Sequence, residues 1–312
     1  MGLIELQNLT KRFGDITAVD GLTLHVGEGE ICGLLGPNGA GKTTTIRMLC
    51  GLINKSSGSA HVGGYEVSNV ADSVAMRKLI GLVSDNLGLY DDLTASQNLA
   101  FYGRLYGCLE ASRKANSQRL LTMLDLWGHR DAPVATFSKG MKQKLAIARA
   151  LIHDPRILFL DEPTTNLDPA SAKTVRDFIV ALKQDKRTIV LNTHNLAEAQ
   201  SICDRIAILN TRLVASGTPD ELERATGGRH ITIRVEDIEV AREPILAAVQ
   251  AAVPTHPVRV EGDQLTVDVA EPERHIADVV SAIVHAGGRI AFAGVEGSSL
   301  EQAYLALVER GR

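Results

Sequence analysis

Nine residues, Gly36-Pro37-Asn38-Gly39-Ala40-Gly41-Lys42-Thr43-Thr44, stand between an apolar run, Ile31 to Leu35, and a helical pattern that begins near Lys42. Such a stretch forces a strand to turn tightly into a helix, and the turn it makes is suited to phosphate. Glycines let main chain wrap closely around phosphate oxygens, and the helix N-terminus adds a positive dipole end. Lys42 can reach β and γ phosphates, and the Thr43 hydroxyl can ligate Mg²⁺. The cradle runs over Gly36, Asn38, Gly39, Ala40 and Gly41 and continues through Lys42, Thr43 and Thr44. A bound triphosphate uses all of these features together, whereas a Gly-rich turn that merely precedes a helix needs only the first.

The rest of the composition bounds what surrounds that loop. With 312 residues, 45% of them hydrophobic, the chain can bury one substantial core and a second, smaller one. A formal net charge of -4 with mixed signs provides no overall basic field, so nucleic acid is not the expected partner. Cys32, Cys50, Cys108 and Cys203 lie far apart and form no ligand pair, which reads as reduced, buried thiols in a cytosolic chain. No basic and apolar leader opens the chain, and no apolar run approaches the roughly 18 residues of a membrane span.

Two alternating strands precede the loop, Leu3 to Leu6 and Leu22 to Val26, with a turn expected at Thr10 to Gly14. Phe13 in that turn either plugs the edge of the sheet or offers a face on which a base can stack. After the loop come a helix ended by Gly51, a short strand at Ser59 to Val62, and a buried strand expected over Arg77 to Val83. Thr94-Ala95-Ser96-Gln97 is a capping box opening a helical region from about Leu93 to Leu126. Leu99, Tyr102, Leu105, Tyr106, Leu120, Leu121 and Leu124 are its expected packing positions, with Trp127 as an anchor.

Ser138-Lys139-Gly140-Met141 opens another helix and reads either as a plain basic cap or as a second anion site. Ile157-Leu158-Phe159-Leu160-Asp161-Glu162 is then an apolar strand ending in two carboxylates, the pattern of a central parallel strand that delivers acids to its C-terminal edge. At that edge Asp161 can hold Mg²⁺ through water, and Glu162 can orient and deprotonate a water. A carboxylate pair that only caps a helix is the bland alternative. Thr188 to Asn192 repeats the device and leads to His194, a hydrogen-bond donor suited to a γ-phosphate.

The phosphate loop, Ser138 to Gln143, Asp161-Glu162, Asn166-Leu167-Asp168 and His194 occur in the order and rough spacing of the ATP-binding cassette ATPases, which the chain resembles over about Ile4 to Leu222. The resemblance implies an α/β P-loop NTPase domain, residues 1–226, with an antiparallel β subdomain and a helical subdomain at about 85–155. It makes Phe13 the aromatic that stacks on adenine, Ser138 and Gly140 the signature loop that closes on the γ-phosphate of a partner subunit, and Asp168 part of the dimer-contact loop. ATP and Mg²⁺ are the implied cofactors. A second copy or a paralogue is the implied partner in a head-to-tail dimer, because one chain holds only half of each site. Two departures stand out. Ser84-Asp85-Asn86 replaces the Gln that usually follows the strand ending at Val83, which leaves Asp85 as a substitute metal ligand, and Lys139 replaces the second signature glycine.

After Gly227-Gly228 the order strand, helix, strand, strand, helix, strand suggests a ferredoxin-like α+β domain over 229–312 with an extra terminal helix. This tail and its closing Ser299-Leu300-Glu301-Gln302-Ala303-Tyr304 segment resemble those of drug- and antibiotic-resistance exporter ATPases. That implies an integral membrane permease as partner and a cytoplasmic chain, peripheral on the inner face of the membrane. The competing reading is a soluble cassette ATPase of assembly, translation or repair. Repair members insert long coiled coils and translation members carry two cassettes, and this chain has neither. A silent regulatory binding module is disfavoured because Lys42, Asp161, Glu162 and His194 are all present.

Overall fold

A computed structural model describes residues 2–84, 86–225, 229–269, 271–297 and 300–310, so the expected Gly227-Gly228 linker and the start of the final helix at Ser298-Ser299 lie outside the described residues. The chain divides into two compact units, Met1–Thr218 and Pro219–Arg310.

In the first unit β1 (Ile4–Phe13) and β2 (Ile16–Val26) form an antiparallel hairpin in which Ile4 pairs with Val26 and Phe13 with Ile16. Thr10 to Phe13 therefore belong to the strand rather than to the expected turn. Gly14, at φ +56°, takes the left-handed backbone that lets two residues close the hairpin. β3 (Ile31–Leu35) is buried at every position and runs through the glycine-rich loop into α1 (Lys42–Leu49). β4 (Ser57–Val62) pairs with β1 and β5 (Tyr65–Glu66) with β4, giving a four-stranded antiparallel sheet in the order β2-β1-β4-β5.

α2 (Ser73–Lys78) takes up Arg77 and Lys78, which had been expected in a strand, and the strand β6 (Ile80–Val83) starts only at the apolar run. Helices α3 (Ala95–Leu105) and α4 (Glu110–Met123) follow. The Thr94–Gln97 capping box is complete in both directions. Leu99, Leu120, Leu121 and Leu124 pack inward as expected, but Leu105 is 70% exposed and Trp127 is exposed, with Arg130 stacked 4.7 Å over its indole. Leu126, fully buried beside it, fills the anchoring position instead.

α5 (Lys139–Leu151), β7 (Ile157–Asp161), α6 (Pro169–Gln184), β8 (Thr188–Asn192), α7 (Leu196–Ile202), β9 (Arg205–Asn210) and β10 (Arg212–Gly217) complete the unit. The second sheet has the order β10-β9-β3-β8-β7-β6, parallel except for the edge strand β10. α1 contacts β2 and β4 of one sheet and β7 of the other. Ile46 and Met48 thus share one core with Ile4, Leu6, Leu34 and Phe159, and removing that apolar area from water is what clamps the loop before α1 in place. Cys32, Cys50 and Cys203 lie inside as free thiols, and burial pushes the Cys32 thiol up to about 12.

The second unit begins with α8 (Pro219–Arg224), so the units part at Thr218 and not at residue 226. Its sheet is built from β11 (Arg229–Glu236), β12 (Val258–Glu261), β13 (Gln264–Asp268) and β14 (Arg289–Gly297), with α9 (Arg242–Ala252) and α10 (Pro272–His285) as crossovers. The order β12-β13-β11-β14, antiparallel throughout, is that of a ferredoxin-like sheet. Ile231, Ile233 and Val235 alternate onto Ile245, Val249, Val279 and Ile283 of the helices. The last helix, α11 (Leu300–Arg310), packs against α8, which explains why α8 groups with this unit.

Candidate active site

The parallel order β3-β8-β7 places three strand ends side by side, and the glycine-rich loop leaves the first of them. Two glycines are required there by close approach. A Cβ on Gly36 would stand 2.2 Å from the Leu209 carbonyl oxygen, and one on Gly41, at φ +91°, would stand 2.3 Å from that of Ala18. The loop is thereby pressed between β9 and β2. Lys42, nearly buried, donates from Nζ to the carbonyl oxygens of Gly36 at 2.7 Å and Pro37 at 3.0 Å, so its side chain curls over the loop it follows. Burial lowers the Lys42 pKa, and the carboxylates of Glu162 and Asp161 partly restore it. A phosphate set in the loop would meet this ammonium in place of the two carbonyls.

Residues 38–44, Ile16, Thr17, Ala18, Asp161, Glu162 and Asn192 line one open cleft of about 440 Å³. The expected residues Asn38, Gly39, Ala40, Gly41, Lys42, Thr43, Thr44, Asp161 and Glu162 therefore meet in one place. Ile16, Thr17, Ala18 and Asn192 were not anticipated. The signal for Asn192 was present, as a polar residue ending an apolar strand, and the register pairs it with Asp161 on β7.

Thr43 Oγ1 lies 3.3 Å from Asp161 Oδ1, and Asn192 Nδ2 donates to that same carboxylate oxygen and, at 3.4 Å, to Thr43 Oγ1. Asn192 Oδ1 is buried with no partner. Hydroxyl, carboxylate and amide oxygens are hard donors that suit Mg²⁺ and not a metal seeking nitrogen or sulfur. An orphaned buried carbonyl beside them is an acceptor in want of a water or a cation. Among the described residues no cluster of three His, Cys, Asp or Glu side chains could hold a metal ion. Asp85 lies outside the described residues.

Glu162 follows the end of β7 with φ +52°, a left-handed backbone uncommon for a residue with a side chain. Its N–H donates to the Asn192 carbonyl at 2.9 Å, which anchors the turn to β8. Thr165 Oγ1 donates to Glu162 Oε2 at 2.6 Å, and His194 Nδ1 stands 2.7 Å from that same oxygen. His194 is thus brought to the carboxylate by the segment after β8.

Ser138 and Gly140 do not line this cleft. Ser138 caps α5 by accepting from the Met141 N–H at 3.2 Å, and a Cβ on Gly140 would meet Ser171 Oγ at 2.6 Å, so glycine is needed for α5 to approach α6. Asp168 caps α6 through the N–H groups of Ala170 and Ser171, and the Ser171 hydroxyl above all, with these backbone bonds, holds its carboxyl below the usual range. Phe13 is 49% exposed at the end of β1, with Lys11 Nζ 4.7 Å over its ring, and so does not seal the sheet.

Comparison with known proteins agrees with this geometry. A family model described as ABC transporter matches residues 19–165. The daunorubicin resistance ATP-binding protein DrrA3 of Streptomyces coeruleorubidus is 36% identical over 307 residues, which cover 97% of this chain and 95% of that protein. The Nod factor export ATP-binding protein I of Ralstonia nicotianae is 40% identical over 221 residues, 70% of this chain and 68% of that one. A solved dimeric structure of a post-hydrolysis state of an ATP-binding cassette, bound to ADP and Pi, is 25% identical with a TM-score of 0.63 and covers 69% of this chain and 98% of that one.

Proposed function

The chain belongs to the ABC transporter family as an ATP-binding subunit with ATPase activity, and from that premise we propose that it hydrolyses Mg-ATP as one half of a head-to-tail dimer and drives a separate membrane permease in export. The observation that carries the reading is the convergence of Lys42, Thr43, Asp161 and Glu162 on one cleft. Lys42 leaves the loop carbonyls to contact the β and γ phosphates. Thr43 and Asp161 would hold Mg²⁺, which when bound would screen the phosphate charge. Glu162 accepts the proton of the attacking water at its carboxylate, and His194, whose Nδ1 faces Glu162, keeps Nε2 for the γ-phosphate.

Ser138 and Gly140 are given to the partner's nucleotide, in keeping with their place away from this chain's own cleft, at the N-terminus of a helix that Ser138 caps. Phe13 stacks on the adenine. The near full-length likeness to a daunorubicin resistance ATP-binding protein and the likeness to a Nod factor export ATP-binding protein favour export of an organic molecule over a soluble assembly factor. Among the described residues no helix is long and apolar enough to cross a membrane; the subunit docks on its permease at the inner face. Affinity purification of the native protein from solubilised membranes tests this. Recovery of an integral membrane protein supports the reading, whereas ribosomes or DNA without any membrane protein would overturn it.

A further inference from the structure

Glu198, in the first turn of α7, is a carboxylate 2% exposed, and its two side-chain partners among the described residues are both neutral. Its two oxygens are taken by two hydroxyls: Thr164 Oγ1 donates to Oε1 at 2.7 Å and Thr193 Oγ1 donates to Oε2 at 2.6 Å. The two threonines sit on different segments, one after β7 and one after β8, which this single side chain ties together.

The places of those threonines matter. Thr164 precedes Thr165, whose hydroxyl donates to Glu162 Oε2 at 2.6 Å, and Thr193 precedes His194, whose Nδ1 stands 2.7 Å from the same oxygen. Both groups that hold the Glu162 carboxylate are therefore one residue away from a group held by Glu198. A buried carboxylate is costly unless its oxygens are satisfied, and here neither donor is a charge that would favour its presence. Helix capping does not account for it, because Asn195 Oδ1 accepts the Glu198 N–H at 3.0 Å and so caps α7 without the carboxylate.

We propose that Glu198 is a positioning residue for hydrolysis: it sets Thr165 and His194 at the distance at which they fix one oxygen of Glu162. It touches neither nucleotide nor water and acts through the two threonines. This rests on the assignment of Glu162 as the base.

The test uses the full chain and five variants, with kcat and KM for ATP, binding of a non-hydrolysable ATP analogue and thermal unfolding measured for each. Glu198→Gln keeps the volume but presents one amide donor where both threonines need an acceptor. It is expected to lower kcat about tenfold while analogue affinity stays within twofold and the unfolding midpoint is retained. Thr193→Val, nearly isosteric, is expected to lower kcat several-fold with the same unchanged binding, and it serves if Glu198→Gln fails to fold. In a His194→Ala background the Glu198→Gln effect on kcat should be smaller than in the parent, because one of the two arms that it positions has been removed.

Parent-like kcat in a folded Glu198→Gln or Thr193→Val protein overturns the proposal. So does a fall in kcat that is matched by weaker analogue binding and a lower midpoint, which is the mark of a general loss of structure. The fifth variant, Glu162→Gln, separates the two levels of inference. If it is inactive while Glu198→Gln is parent-like, only the positioning role falls; if it keeps the parent rate, the base assignment falls and takes the positioning role with it.

Discussion

At the scale of single residues, the site is built from short contacts between groups that have few alternatives. The Asp161 carboxylate is met by Thr43 and by Asn192, and Glu162 by Thr165 and His194, so each acid has its orientation set from two sides. The aromatic at the sheet edge belongs to the same scale. A ring 49% exposed has free face to offer, and stacking of a base on an aromatic is worth about 1 to 3 kcal/mol. Phe13→Ala is expected to weaken nucleotide binding by about 1 to 2 kcal/mol, read by titration calorimetry, and an unchanged affinity would show that the ring takes no part. Phe13 was legible as a candidate only through its place in the chain, since sequence could not say whether the ring closes the sheet or stands out from it.

Among the elements, one junction carries a titratable group whose behaviour depends on packing. His153, just after α5, stacks on Tyr106 at the end of α3 with ring centroids 3.7 Å apart, and its Nε2 meets the Ile80 carbonyl of β6 at 3.0 Å. Nδ1 is buried without a partner, so a second ring proton would have nothing to donate to. Burial lowers the imidazole from its ordinary 6.5 to about 4. The unfolded chain therefore binds a proton that the folded chain does not between those two values, and stability must fall as pH drops through that window. Chemical denaturation at pH 7 and at pH 4.5 should show a loss on the order of 2 to 3 kcal/mol from this group. His153→Phe, which keeps a ring against Tyr106 but cannot titrate, should show a shallower fall than the parent. Equal pH dependence in the two proteins would mean that His153 is not the cause. None of this could be read from sequence, where His153 is one histidine after a helix and the Tyr106 ring lies in another element.

For the molecule as a whole, the cleft and the Ser138–Gly140 cap occupy different places on one unit, and in the proposed reading the site is completed by pairing. Turnover should then rise more steeply than linearly with protein concentration under dilute conditions. Glu162→Gln should bind ATP, lose turnover and accumulate as a dimer, which light scattering after gel filtration in Mg-ATP would detect. A monomeric Glu162→Gln protein saturated with ATP is the outcome that speaks against pairing as part of the cycle. The second unit has its own sheet and its own core, centred on Ile231, Ile233, Val249, Val267 and Ile283. Its ferredoxin-like order was legible from alternation and turns because each strand buries one face only, whereas the parting of the units at Thr218 was not, because it depends on α8 packing against α11.

What the amino-acid sequence determined by itself is the chemistry that depends on contiguous residues. A phosphate loop is made of successive N–H groups and one lysine, a cap needs partners three residues apart, and an apolar strand ending in Asp161-Glu162 needs only a sheet to point into. Tertiary structure decided which strand ends stand together and which side chains meet there. Asn192 reaches Asp161 only because β8 lies beside β7, Thr17 and Ala18 enter the cleft only because β2 passes over α1, and Glu198 gathers Thr164 and Thr193 only after two loops have been laid side by side. The Asn192–Asp161 and Glu198–Thr164 contacts join residues 31 and 34 positions apart, and their partners are chosen by strand order and buried volume, quantities that exist only once the chain has folded.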